Sequence, residues 1–377
     1  MPDKKILYID TPFLKEKGGD KNRSRNLYSS LKSSFDVKIV TVVDDSEKRT
    51  FEHSIRKKKP SFFSPHSIFC YSKSELQKIE RLIEKYNINI VFLRFLSHFK
   101  IAQYIHRRKP SVSIIVDVDM IQSKIAYYSW ILNKSYSNRF YLFEYIKLFF
   151  FERYAFKQNF HFLFANKKEA KDVEKNILYN KKYIIPNFIY PVDIENSSLI
   201  EKDYILFYGS LSSSSNKNAL EYLINDIAPK IQNDLLDKKI DIYIVGKGNI
   251  TEYKHKCKSY SFIKIVGEVQ DISAYIRHAL FAILPIRILS GTCSRLCELS
   301  LFKKCVVASP IVLEGLDFTE DDLMIAHNEE DYHDCIKKLL SNPDLMDRYG
   351  KALHQSGLTH YSYDVVKNKV VQIVEGI

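Results

Sequence analysis

The chain repeats one rhythm twice. Short, continuous apolar runs, KILYID (5–10), VKIVTVV (37–43), INIVFLRF (88–95), VSIIVDVD (112–119), FHFLFAN (160–166) and KKYIIPN (181–187), are mostly separated by longer stretches of helical period. A strand that is apolar on both faces needs cover on both, which calls for a parallel sheet between helix layers. After IIPNFIYPVD (184–193) the series restarts with YILFYGS (204–210), KIDIYIVGKG (239–248), FIKIVGE (262–268), FAILPI (281–286), KKCVVAS (303–309) and DLMIAHN (322–328). The pattern predicts an α/β protein of two Rossmann-like, doubly wound domains facing across a cleft, with ligands at the carboxyl ends of the strands. Pro186, Pro191 and a shift in composition place the domains at 1–193 and 194–377, with a hinge near 190–200. The closing segment YSYDVVKNKVVQIVEGI has helical apolar spacing at Val365, Val366, Val370 and Ile373 and is expected to pack on one domain or the other.

Charge separates the halves. Residues 1–200 hold 36 Lys/Arg against 21 Asp/Glu, whereas residues 201–377 hold 21 against 24. The basic first half suits a phosphate-rich partner: an anionic membrane surface or an acceptor carried on a lipid pyrophosphate. Nucleic acid is disfavoured, because no helix-turn-helix, zinc-finger or aromatic RNA-binding signature accompanies the charge. Arg56-Lys57-Lys58-Lys59 and Arg107-Arg108 are the candidate contacts, against the plainer reading of solvated surface.

The stretch FYLFEYIKLFFFERYAFKQ (140–158) is the most membrane-like, yet Glu144, Lys147, Glu152, Arg153 and Lys157 interrupt it and exclude a bilayer span. A buried aromatic helix and a helix lying in the membrane interface both remain open, the first favoured. The start MPDKKILYID lacks the apolar stretch of a secretory signal, so the expectation is a cytoplasmic protein, peripheral at the inner membrane face, with its six cysteines reduced. Cys293 and Cys297 share a helical spacing, but no nearby Cys or His pair completes a metal site.

Chemistry concentrates in ILPIRILSGTCSRLCELSLFKKCVVAS (283–309). A strand ends, Gly291 and Thr292 turn, and a helix is predicted to start near Ser294; free amides at a helix start favour an anion. Arg295 lies just inside it and supplies a fixed positive charge for a diphosphate. Glu298, three residues on, accepts hydrogen bonds from ribose hydroxyls. A surface ion pair is the plain alternative.

This stretch resembles the donor-site signature of group-one glycosyltransferases of the GT-B fold: a glycine turn, a basic-x-x-Glu helix (here Arg295-Leu296-Cys297-Glu298), then a small strand (Cys305 to Ser309). YILFYGSLSSSSNKNALEYLI (204–224), IYIVGKGN, IVGEVQDISAYIRHALFAILPI and LEGLDF (313–318) are similar to that family's other elements, in its order. The resemblance covers residues 204–365 well and the first half in outline. It implies a UDP- or GDP-sugar donor, a glycan or lipid-linked acceptor, no required cofactor or metal, and retention of configuration. Gly209 and Ser210 fall at the first donor-side turn, where the family usually has a cation; here Lys217 is the nearest one, with simple helix solvation as the alternative. Ser290 stands where many relatives have a second glutamate, and Cys293 where some have a cation. In the first half, Gly18 and Gly19 look like the family's glycine loop, and Asp119 falls where relatives face the transferred sugar, with helix capping as the alternative. Asp117-x-Asp119 also suggests a metal-dependent transferase of single-domain architecture, a reading that leaves Arg295, Glu298 and the second series without a role. A nucleotide-sugar epimerase of similar fold and a non-catalytic partner of another transferase are the further alternatives.

Overall fold

The computed structural model describes residues 4–14, 19–44, 46–62, 64–132, 138–177, 181–188 and 202–377. Gly18 and the expected hinge lie outside them. Two compact units result, one of Met1–Phe188 with Tyr363–Ile377, the other of Ile189–Ser362.

In the first unit the strands are β1 (Lys5–Asp10), β2 (Asp36–Val43), β3 (Ser54–Arg56), β4 (Ile90–Arg94), β5 (Ser113–Val118), β6 (His161–Phe164) and β7 (Lys182–Ile184). They form one parallel sheet in the order β3-β2-β1-β4-β5-β6-β7. Its helices are α1 (Gly19–Lys32), α2 (Lys73–Tyr86), α3 (Phe99–Arg108), α4 (Gln122–Leu132), α5 (Asn138–Phe156) and α6 (Lys167–Val173). In the second unit β8 (Tyr204–Tyr208), β9 (Asp241–Val245), β10 (Ile263–Gly267), β11 (Phe281–Leu284), β12 (Val306–Ala308) and β13 (Met324–Ile325) form a parallel sheet ordered β10-β9-β8-β11-β12-β13. Helices α7 (Ser214–Tyr222), α8 (Ala228–Lys238), α9 (Ile250–Lys256), α10 (Ser273–His278), α11 (Ser294–Leu301), α12 (Glu329–Ser341) and α13 (Pro343–Tyr361) accompany it, and α14 (Tyr363–Glu375) returns to the first unit.

Strand alternation divides the first unit's core. Leu7 and Ile9 point to a cluster with Ile79 and Ile83 of α2, Ile101 and Ile105 of α3, and Phe156 of α5. Ile6 and Tyr8 point to the other side, where Leu27 and Leu31 of α1 meet Val366, Val370 and Val374 of α14. That three-valine spacing is the buried face of α14. Val365, included in the expected face, is instead 48% exposed. Among the described residues no helix is long and apolar enough to cross a membrane.

Each sheet reverses its strand order once, between β1 and β4 and between β8 and β11. Crossovers leave in opposite directions there, opening a crevice beyond the carboxyl ends of those strands. Of the expected site residues, Gly209 follows β8 at the second of these points, and Asp119 follows β5, the strand beside β4.

Candidate functional site

In the second unit, β8 ends at Tyr208 and the chain turns through Gly209 at φ 145°. An L side chain is strained there, and an added Cβ would lie 2.7 Å from Asn216 Nδ2 and 3.1 Å from Arg295 Nη1. Next to it Gly246, at φ 154°, packs so closely that a Cβ would meet the Gly209 carbonyl oxygen at 1.8 Å. These glycines let backbone from β8 and β9 converge. Ser213 caps α7 by accepting from the Asn216 amide at 3.3 Å, and the Asn216 side chain reaches back to the Ser210 carbonyl at 2.9 Å.

Arg295 enters from α11. Its Nη1 donates to the Tyr208 carbonyl at 2.6 Å and its Nη2 to Asn216 Oδ1 at 2.8 Å. Both acceptors are neutral, and among the described residues no carboxylate comes within ion-pair distance of this guanidinium. Glu298, one turn on, receives the Tyr208 hydroxyl at 2.8 Å. Burial pushes the Glu298 carboxyl up from its ordinary range; the Tyr208 hydrogen bond and the Arg295 charge oppose that shift.

The structure thus brings together Gly209, Ser210, Arg295 and Glu298, with Tyr208 and Asn216 between them. Gly291, at φ 76°, forms the turn before α11, Thr292 is buried, and Ser294 opens the helix. Lys217 stays exposed on α7 and makes no hydrogen bond to this cluster. Cys293 is buried at the start of α11, where burial raises its thiol pKa.

In the first unit, Asp117 at the end of β5 is held by two arginines. Arg23 donates through Nε at 3.1 Å and Nη2 at 2.6 Å, and Arg94 Nη1 donates to the same carboxylate. Asp119 takes part at longer range, 3.4 Å from Arg94 Nη2 and 3.6 Å from Arg23 Nε. Asp10, at the end of β1, has Oδ2 3.9 Å from Arg94 Nε, and burial raises its pKa. Both carboxylates of the Asp-x-Asp pair thus face arginines, Asp117 closely and Asp119 at longer range. Gly19 begins α1, the helix that delivers Arg23.

Phe95 follows β4 at φ 71°, ψ 141°, a costly backbone for a non-glycine residue, and its ring lies 4.2 Å beneath the Arg94 guanidinium. It lines a cavity of about 210 Å³ with Asp119, Phe69, Leu96, Met120 and Phe151. A larger cavity of about 340 Å³, among α4, α5 and α6, has Glu152 and Arg153 on its wall and none of the expected site residues. Arg23, Arg94, Tyr208 and Asn216 are the participants the sequence reading missed. Arg94 ends an otherwise apolar run, a signal that could have marked it.

Two parallel sheets, each reversing its strand order once, define a two-unit α/β protein of the doubly wound class. Residues 202–342 match the family model described as Glycosyl transferases group 1. That segment of the second unit matches a group-one glycosyltransferase domain, and the two-unit fold is of the GT-B class. Its fold resembles sucrose-phosphate synthase from Thermosynechococcus elongatus, at TM-score 0.73 and 14% identity over 99% of this chain and 98% of that one. It also resembles Anabaena Alr3699/HepE in complex with UDP and glucose, at TM-score 0.69 and 10% identity over 99% and 100%. A third likeness is WaaG, a glycosyltransferase involved in lipopolysaccharide biosynthesis, at TM-score 0.65 and 13% identity over 98% and 99%. No curated protein sequence matches the chain.

Proposed function

We propose that the second unit binds a UDP- or GDP-sugar at the β8–β11 switch point and that the sugar passes to an acceptor hydroxyl held by the first unit. One observation carries this: Arg295 is fixed between neutral acceptors, so its positive charge is left for an anion beside the start of α11. A leaving nucleoside diphosphate is that anion, and the helix amides and guanidinium stabilise its developing charge without a metal. Glu298 retains capacity for ribose hydroxyls beyond its Tyr208 bond. UDP is the favoured nucleotide, because the Anabaena protein is complexed with UDP, with UDP-glucose, and with UDP and glucose.

On the acceptor side, Asp119 at the edge of an aromatic-lined cavity suits the orienting of a sugar hydroxyl. The basic surplus of residues 1–200 favours a glycan or lipid-linked acceptor at an anionic membrane face, in cell-surface polysaccharide or glycolipid assembly, as WaaG's role in lipopolysaccharide also suggests. Thermal shift with UDP- and GDP-sugars tests the donor half. One sugar nucleotide should stabilise the wild type, and Glu298→Ala and Arg295→Ala should each lose that stabilisation while remaining folded. Undiminished donor affinity in both variants would remove the assignment.

A further inference from the structure

Helix α5 is apolar nearly all round, yet only part of it is covered. Leu148, Ala155 and Phe156 are buried, and Phe151 packs against the core. Phe140, Phe143, Ile146, Phe150 and Tyr154 lie 43% to 67% exposed. Steps of three and four residues put these five on one face, together with exposed Arg139 and Arg153, and exposed Lys157 follows directly on the helix end. Phe62, from the β3–α2 connection, sets its ring 5.9 Å from Phe143 and widens the patch.

The acids of this helix face the other way. Glu144 is buried and accepts from the His66 amide at 3.0 Å; Glu152 is buried against Ser123. The outer face therefore carries aromatic rings and cations with no carboxylate of the helix among them. A second copy of the chain, docked about a two-fold axis, would set those cations against each other without an acid to pair them. An anionic bilayer accepts both features: rings enter the headgroup–acyl boundary while the longer cationic side chains stay with lipid phosphates. At about 1.5 Å per residue, α5 is long enough to lie along the surface over most of a bilayer's thickness in length.

We propose that the outer face of α5 docks the protein on an anionic lipid bilayer, with Phe143 and Phe150 as its central inserted rings and Arg139, Arg153 and Lys157 as its phosphate contacts. This rests on the membrane-face part of the functional reading, whereas glycosyl transfer does not depend on it.

The test is flotation of the full chain with vesicles of phosphatidylcholine alone and of phosphatidylcholine mixed with phosphatidylglycerol. Donor-induced thermal stabilisation is measured on the same preparations, so that either reading can fail by itself. Wild type should float with the mixed vesicles and much less with the neutral ones. The double variants Phe143→Ser/Phe150→Ser and Arg153→Glu/Lys157→Glu should stay behind, the second with a partition lowered at least about twentyfold, and both should keep the donor response. Wild type remaining in the dense fraction with anionic vesicles overturns the proposal, as do double variants that float like wild type. A wild-type dimer that the phenylalanine variant converts to monomer, without vesicle binding, assigns the face to a second copy instead.

Discussion

Tyr208 donates its hydroxyl to Glu298 across 2.8 Å while its own backbone carbonyl accepts from Arg295 at 2.6 Å. The last residue of β8 thereby joins both candidate donor ligands. The hydroxyl favours the Glu298 carboxylate against the effect of burial, so removing it raises that carboxyl's pKa further. Tyr208→Phe should weaken donor binding roughly three- to tenfold at neutral pH, the worth of one ordinary hydrogen bond. The acid limb of the affinity profile should shift to higher pH. Calorimetric titration with the donor across pH measures both, and an unshifted limb would mean that the carboxylate of Glu298 does not face the ligand.

The turn that positions Arg295 rests on close backbone packing. At Gly246 a methyl group would stand 1.8 Å from the Gly209 carbonyl, and φ 154° already disfavours an L residue. Neither neighbour is a flexible side-chain end, so the strands must part. Gly246→Ala should lower the stability of the second unit by about 3 kcal/mol or more, through strain of the kind that produces the largest single-residue effects. Chemical denaturation followed by a probe in each unit checks this, with the first unit's transition expected to stay in place.

The sheets were legible because their strands are buried on both faces and read as unbroken apolar runs. Ser54–Arg56 was not, since one isoleucine between two polar residues gives no period, and its pairing with β2 is set by register. Arg295 and Glu298 were visible as neighbours one helical turn apart. Tyr208 was hidden inside a strand run, where a tyrosine is indistinguishable from core. Arg23 reaches Asp117 across 94 residues of chain, a pairing that local pattern cannot carry. Helix α5 was ambiguous for a different reason: its aromatic and aliphatic residues are spread over nearly every side, and only the fold decides which side is covered.

The arginine–aspartate network of the first unit is a structural prerequisite for Asp119. Arg94 is fully buried, bonds Asp117, and also donates to Ser24 Oγ at 3.0 Å. Arg94→Met leaves buried carboxylates with one guanidinium between them and should cost about 3–5 kcal/mol. Asp119→Asn, with partners at 3.4 Å and 3.6 Å, should cost well under half as much while impairing transfer to acceptor. Denaturation midpoints of the two variants, compared with acceptor-dependent turnover of Asp119→Asn, separate support from chemistry. Equal destabilisation would make Asp119 a member of the scaffold alone.

Glu152 gives the chain a pH signature independent of the donor site. Burial pushes its carboxyl up to about 7 from 4.5, against the hydrogen bonds it accepts from the Ser123 amide at 3.1 Å and the Ser123 hydroxyl. The folded state therefore holds a proton here that the unfolded chain releases near its ordinary value. Between the two values the unfolded state binds fewer protons, so stability falls as pH rises through that window and levels off above about 7. The fall attributable to this group is on the order of 3 kcal/mol. Glu152→Gln keeps an acceptor for the Ser123 amide and cannot ionise, so its stability should decline less over the same range. Denaturation of both proteins at the two ends of the window reads the difference directly. Parallel declines would show that Glu152 is already ionised in the folded protein.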